Sequence, residues 1–175
     1  MTMTTKVLLV DDHPVFRTGL YTLLDANENI HVVGEAENGL EAIEKVKKHK
    51  PDIVVMDISM PDLNGIEATK KILSFSSDTT ILALSIHSGK QFIKDMLDAG
   101  AKGYLLKDSA PDELIFAINK LLKGEMFLSS AITKVALEKH DDPKETRPDI
   151  LYTKLHKPPV TDDYVIRTNL INELD

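Results

Sequence analysis

Five short apolar runs punctuate the first two thirds of the chain: Lys6–Val10, His31–Glu35, Ile53–Asp57, Thr80–Ser85 and Gly103–Leu106. Each has strand length, and Val7–Val10 and Ile53–Met56 are apolar without alternation, as strands buried on both faces are. The segments between them keep helical spacing. Phe16, Leu20, Leu23 and Leu24 predict one helical face, and Leu40, Ile43 and Val46 a second. Ile66 and Leu73 mark a third, Phe92, Met96 and Ala99 a fourth, and Leu114, Ile118, Leu121 and Leu122 a fifth. Pro14 suits a first helical turn, Asn38-Gly39 and Asn64-Gly65 read as turns, and Ser109 with Asp112 predicts a capping box. Strands alternating with helices predict an α/β fold: a doubly wound parallel sheet with helices on both faces.

In such a sheet ligands bind beyond the carboxyl ends of the strands. The first strand runs into Asp11 and Asp12. The third ends in Asp57 and the fourth in Ser85, and Lys107 follows the fifth. If the first and third strands are neighbours, three carboxylates share a cleft. Two like charges about 4 Å apart repel by roughly 4 kcal/mol at an effective dielectric of 20, so the cleft needs a cation or a proton. Mg²⁺ suits a few carboxylates plus water. Beside it a carboxylate can accept a phosphoryl group, with Lys107 and Ser85 placed for the remaining phosphoryl oxygens. Each residue alone has a plainer reading, as a turn acid, a surface lysine or a turn serine. Their joint placement at four strand ends is the signal.

The order and spacing of "VLLVDDHPVFRTGL", "PDIVVMDISMPDLNGIEA", "ILALSIH" and "AGAKGYLLKDSAPDELIFAI" resemble the receiver domain of two-component response regulators, most closely the NarL/FixJ subfamily. The resemblance covers residues 4–128. It implies a five-stranded flavodoxin/CheY-like sheet in the order 2-1-3-4-5. It implies that Asp57 accepts phosphate from a sensor histidine kinase, that Asp12 and Asp57 bind Mg²⁺ directly, and that Asp11 acts largely through water. Ser59 matches the position that gives its backbone carbonyl to the metal. Ser85 matches the switch hydroxyl, Tyr104 the switch aromatic and Lys107 the phosphate-binding lysine. On this reading the chain is no enzyme beyond its own phosphorylation and dephosphorylation. A haloacid-dehalogenase-type phosphatase would require Asp-x-Asp, and Asp57-Ile58-Ser59 lacks the second acid. Asp108 follows the lysine where many receivers have proline.

The net charge of -7 argues against this chain alone gripping nucleic acid. No helix-turn-helix pattern follows Ser130, so transcriptional output is expected outside the chain, and a stand-alone adaptor is the alternative. With no cysteine, no membrane-length apolar run and no signal-peptide core, a cytoplasmic location is expected. The histidines are scattered. His13 borders the acid cleft, with packing or capping the plainer role. Ile115, Phe116 and Leu122 widen the apolar stripe of the fifth helix, either beneath a helix at Ser130–His140 or as a phosphorylation-dependent homodimer face. Residues 129–149 read as a helix and charged linker. Residues 150–175 form an extension whose "YTKLHKPPVTDDYVIRTNLINELD" resembles the entry of MalT-like ATPase regulators.

Overall fold

A computed structural model describes residues 4–138, with side chains through residue 134. The expected helix end beyond Glu138, the charged linker and the 150–175 extension lie outside the described residues. The strands are β1 (Thr5–Val10), β2 (Ile30–Ala36), β3 (Ile53–Asp57), β4 (Thr80–Ser85), β5 (Gly103–Leu106) and β6 (Phe127–Leu128). The helices are α1 (Pro14–Asp25), α2 (Gly39–His49), α3 (Gly65–Phe75), α4 (Lys90–Asp98), α5 (Ala110–Leu122) and α6 (Ser130–Glu138). All strand pairs are parallel, in the order β2-β1-β3-β4-β5-β6. The five expected strands therefore stand in the expected order. The sixth is an addition: two residues are too few to show a period, yet Phe127 N donates to Lys102 O and Ser129 N to Tyr104 O.

The sheet separates two apolar layers. Leu20, Leu24, Leu114, Ile118 and Leu121 of α1 and α5 pack on Val7, Leu9, Val55 and Leu105. On the other face Val46, Ile72, Met96 and Ile132 cover Leu8, Val54, Met56 and Ala83. Because both faces are covered, β3 is buried along its whole length, acid included. Leu40, expected on the core face of α2, is 52% exposed; Gly39, Ala42 and Val46 make that face instead.

The Asn-Gly pairs are helix starts, not free turns. Asn38 Oδ1 accepts from Glu41 N and Asn64 Oδ1 from Glu67 N, both at 2.9 Å, which satisfies first-turn amides. The capping box at Ser109 does not form. Ser109 closes a 3₁₀ turn over Lys107–Ser109 and makes no side-chain cap bond. Phe116 and Leu122 stay 45% and 48% exposed, so among the described residues α6 leaves the wide stripe of α5 open. It packs on the opposite layer through Ile132.

Gly65 holds the loop after β3. Its N–H donates to Ile58 O at 2.9 Å, and a Cβ there would stand 2.0 Å from Asp57 O. Gly65→Ala must push the backbone of Asp57 aside. We expect a loss of about 1–3 kcal/mol in urea unfolding, the cost of overpacking a closed site. Unchanged stability would mean that the loop yields without moving the acid.

Candidate functional site

The carboxyl ends of β1 and β3 bring Asp11, Asp12 and Asp57 together, as adjacent strands require. Asp11 and Asp57 are 1% and 2% exposed, and Asp12 stands at the rim. Lys107, in the turn after β5, reaches between the two buried acids. Its Nζ lies 2.7 Å from Asp11 Oδ2 and 2.9 Å from Asp57 Oδ2. The bond to Asp57 is well directed. The Asp11 contact is the shorter of the two, a close ion pair. Lys107 is thus the internal counter-ion of the cleft.

Burial raises the pKa of Asp57 against the hydrogen bond and charge of Lys107, with the Asp11 charge adding to the rise. Burial also works against the Lys107 ammonium, but its bonds to Asp11 and Asp57 outweigh this and hold its pKa above the ordinary lysine value.

Ser59 stands on the loop leaving β3, and its N–H donates to Asp57 Oδ1 at 3.3 Å. Ser85 ends β4, one residue beyond the Leu84 that pairs with Asp57. Its Oγ accepts from His87 N at 2.9 Å. Tyr104 is fully buried, and its hydroxyl donates to His87 O at 2.8 Å. Burial pushes the Tyr104 phenol up to about 12, opposed by a hydrogen bond with Ser85 and aided by the Asp57 charge. The two expected switch residues therefore meet at one loop and lie within the field of the acid cleft.

Three contributors were not read as part of the site in the sequence. Arg17 on α1 bonds Asp11 O, Glu35 Oε2 at 2.9 Å and Glu37 Oε1 at 3.1 Å, fastening β1 to the end of β2. The Phe16 ring lies 5.0 Å from Lys107 Nζ, a cation–π contact over the counter-ion. The His87 ring stacks on Phe92 at 4.3 Å and 10°, which braces the loop that Tyr104 holds.

Asp11, Asp12, His13 and Asp57 each bring a ligand atom within 4.8 Å of the others. Asp12 Oδ1 is closed off from solvent and accepts no aligned hydrogen bond. Clustered carboxylate oxygens of this kind fit a hard divalent cation.

The family model for the response regulator receiver domain matches residues 7–119. The chain belongs to the response regulator receiver family. A nitrate/nitrite response regulator homolog from Haemophilus influenzae is 38% identical over 138 residues, 78% of this chain and 66% of that relative. A crystal structure of a LuxR-family two-component response regulator from Aurantimonas superposes with TM-score 0.74 at 38% identity, covering 78% of this chain and 98% of that one. The isolated receiver of RcsB from Salmonella enterica, with the phosphomimetic BeF₃⁻, gives TM-score 0.70 at 28% identity over 75% of this chain and 97% of that one. The receiver is thus of the NarL/LuxR type, and output in this family lies outside the receiver. Receivers as a class are phosphorylated by sensor kinases and bind Mg²⁺, and some form dimers. Among the described residues no helix is long and apolar enough to cross a membrane.

Proposed function

We propose that this receiver takes a phosphoryl group onto Asp57 from a sensor histidine kinase and so switches the α4–β5–α5 side of the molecule. The observation that carries this reading is the Asp11–Lys107–Asp57 bridge at a shared strand-end cleft. An Asp57 carboxylate oxygen attacks phosphorus. The O–P bond forms, the bond from phosphorus to the kinase imidazole nitrogen breaks, and that nitrogen keeps the electron pair. Asp12 and Asp57, with Asp11 through water and the Ser59 carbonyl, would hold Mg²⁺, which supplies neutralisation of charge on the transferred group. Lys107 is already hydrogen-bonded to the acceptor and can follow the new phosphoryl oxygens. Ser85 can turn its hydroxyl from His87 N toward the same charge, freeing Tyr104 to move. The lack of cysteine suits a reducing, cytoplasmic setting.

The direct test is beryllofluoride binding followed by NMR of the Tyr104 and Ser85 amides. The reading expects large shifts there only when both beryllofluoride and Mg²⁺ are present; shifts without Mg²⁺ would overturn the metal assignment.

The uncovered Phe116 and Leu122 make α5 the proposed homodimer face. Sedimentation at micromolar concentration should show dimer only with Mg²⁺ and beryllofluoride, and Leu122→Lys should stay monomeric under the same conditions. A wild-type monomer in both states would remove this face from the switch.

A further inference from the structure

His13 adds an imidazole nitrogen to the carboxylates at the mouth of the cleft. Its Nδ1 lies 2.9 Å from Asp12 Oδ1 and 3.4 Å from Asp11 Oδ1. Neither carboxylate uses the ring well. Asp12 Oδ1 is closed off from solvent and accepts no aligned hydrogen bond, while the buried Asp11 gives Oδ2 to Lys107 and Oδ1 to the His13 backbone. The imidazole also does nothing for α1: His13 is its N-cap but makes no side-chain cap bond. Its side chain is 69% exposed, but its backbone is held. The backbone N–H donates to Asp11 Oδ1 at 2.8 Å, and Pro14 confines His13 to the extended conformation it holds, φ -92° and ψ 103°. The ring stem is therefore anchored beside the acids and its nitrogen faces them.

We propose that His13 is a metal ligand and makes this cleft a mixed nitrogen–oxygen site, selective for borderline first-row divalent cations such as Ni²⁺ over Mg²⁺. The inference rests on the metal-binding reading of the acid cleft. An imidazole adds little for Mg²⁺, which prefers oxygen and holds its waters, and much for the later first-row ions. A chain with this residue discriminates between ions that carboxylates alone rank less sharply. The consequence is a receiver whose phosphoacceptor cleft can be held by a transition metal at concentrations that leave all-oxygen receivers on Mg²⁺.

The test uses the full chain. Calorimetric titration with Ni²⁺ and with Mg²⁺ is run on wild type and His13→Ala, with melting in metal-free buffer confirming that the variant folds. The expected result is a roughly tenfold or greater loss of Ni²⁺ affinity in the variant and a change of at most about threefold for Mg²⁺, as the loss of one imidazole ligand implies. Pulsed electron paramagnetic resonance of bound Mn²⁺, at an occupancy that Mg²⁺ displaces, supplies a second readout. Nitrogen hyperfine coupling should be present in wild type and absent in His13→Ala. Equal Ni²⁺ affinity in the two proteins overturns the proposal, and so does Mn²⁺ without nitrogen coupling in wild type. If wild type binds Mg²⁺ and beryllofluoride normally in those cases, the receiver reading stands and only the His13 inference fails. If no divalent ion binds wild type, both fail.

Discussion

Asp57→Asn is expected to take up no phosphate. With acetyl phosphate and Mg²⁺, intact-mass measurement should show one added phosphoryl group on the wild-type chain and none on the variant. Complete phosphorylation of the variant would overturn the acceptor assignment. Folding should survive the change. Burial raises the Asp57 pKa, so its charged form opposes folding at neutral pH, and the amide removes that charge. Lys107 keeps Asp11 as its partner. The pH dependence has a definite sign. A carboxyl with a raised folded-state pKa binds its proton more readily folded than unfolded, so its contribution improves as pH falls through that pKa. In metal-free buffer the stability difference between Asp57→Asn and wild type should be largest near neutral pH and shrink on acidification.

Lys107→Ala carries the largest expected loss of stability. It leaves Asp11 and Asp57 facing each other without their shared ammonium. Breaking a buried ion pair from one side costs about 3–5 kcal/mol. The cleft opens to water at Asp12 and His13, which places the expected loss near the low end, about 3 kcal/mol. Mg²⁺ should return much of it, since a ligand at a hundred times its dissociation constant adds about 2.7 kcal/mol to the native state. Lys107→Met separates charge from packing, because it keeps an apolar stem beneath Phe16. Urea unfolding with and without Mg²⁺ decides the matter. If Lys107→Met is as stable as wild type, contact with Phe16 and not charge is what holds the cleft.

The acid cleft was readable because each of its members ends or follows a strand. Parallel strands buried on both faces write themselves as apolar runs, and a charge at the end of such a run marks the ligand edge. Packing by small residues left less trace. Gly39 and Ala42 share the buried face of α2 with Val46 and Ile43, while the larger Leu40 points outward, so counting bulky apolar positions misplaced that one residue and passed over the small ones. Arg17 reads as one more charge on a helix; only the fold brings Glu35 and Glu37 of another element to it. Phe16 was legible as a helix-face residue, but its position over Lys107 depends on two segments far apart in sequence. The capping box at Ser109 failed because the chain was already turning from Lys107 onward, leaving no extended residue there for the cap.

β6 gives the receiver a mechanical property. Two pairings, Gly103 with Phe127 and Tyr104 with Leu128, fasten the departing chain to the strand that leads into Lys107. The Ser129 amide is tied to the carbonyl of Tyr104 itself. Tension applied through α6 would therefore reach the backbone of the proposed switch aromatic once the Ser130–Glu113 bonds and the Ile132 packing give way, and the two-pair strand is the seam along which it would then peel. The edge strand β6 thus ties α6 to Tyr104 of β5, one strand away from the β4 end that holds Ser85.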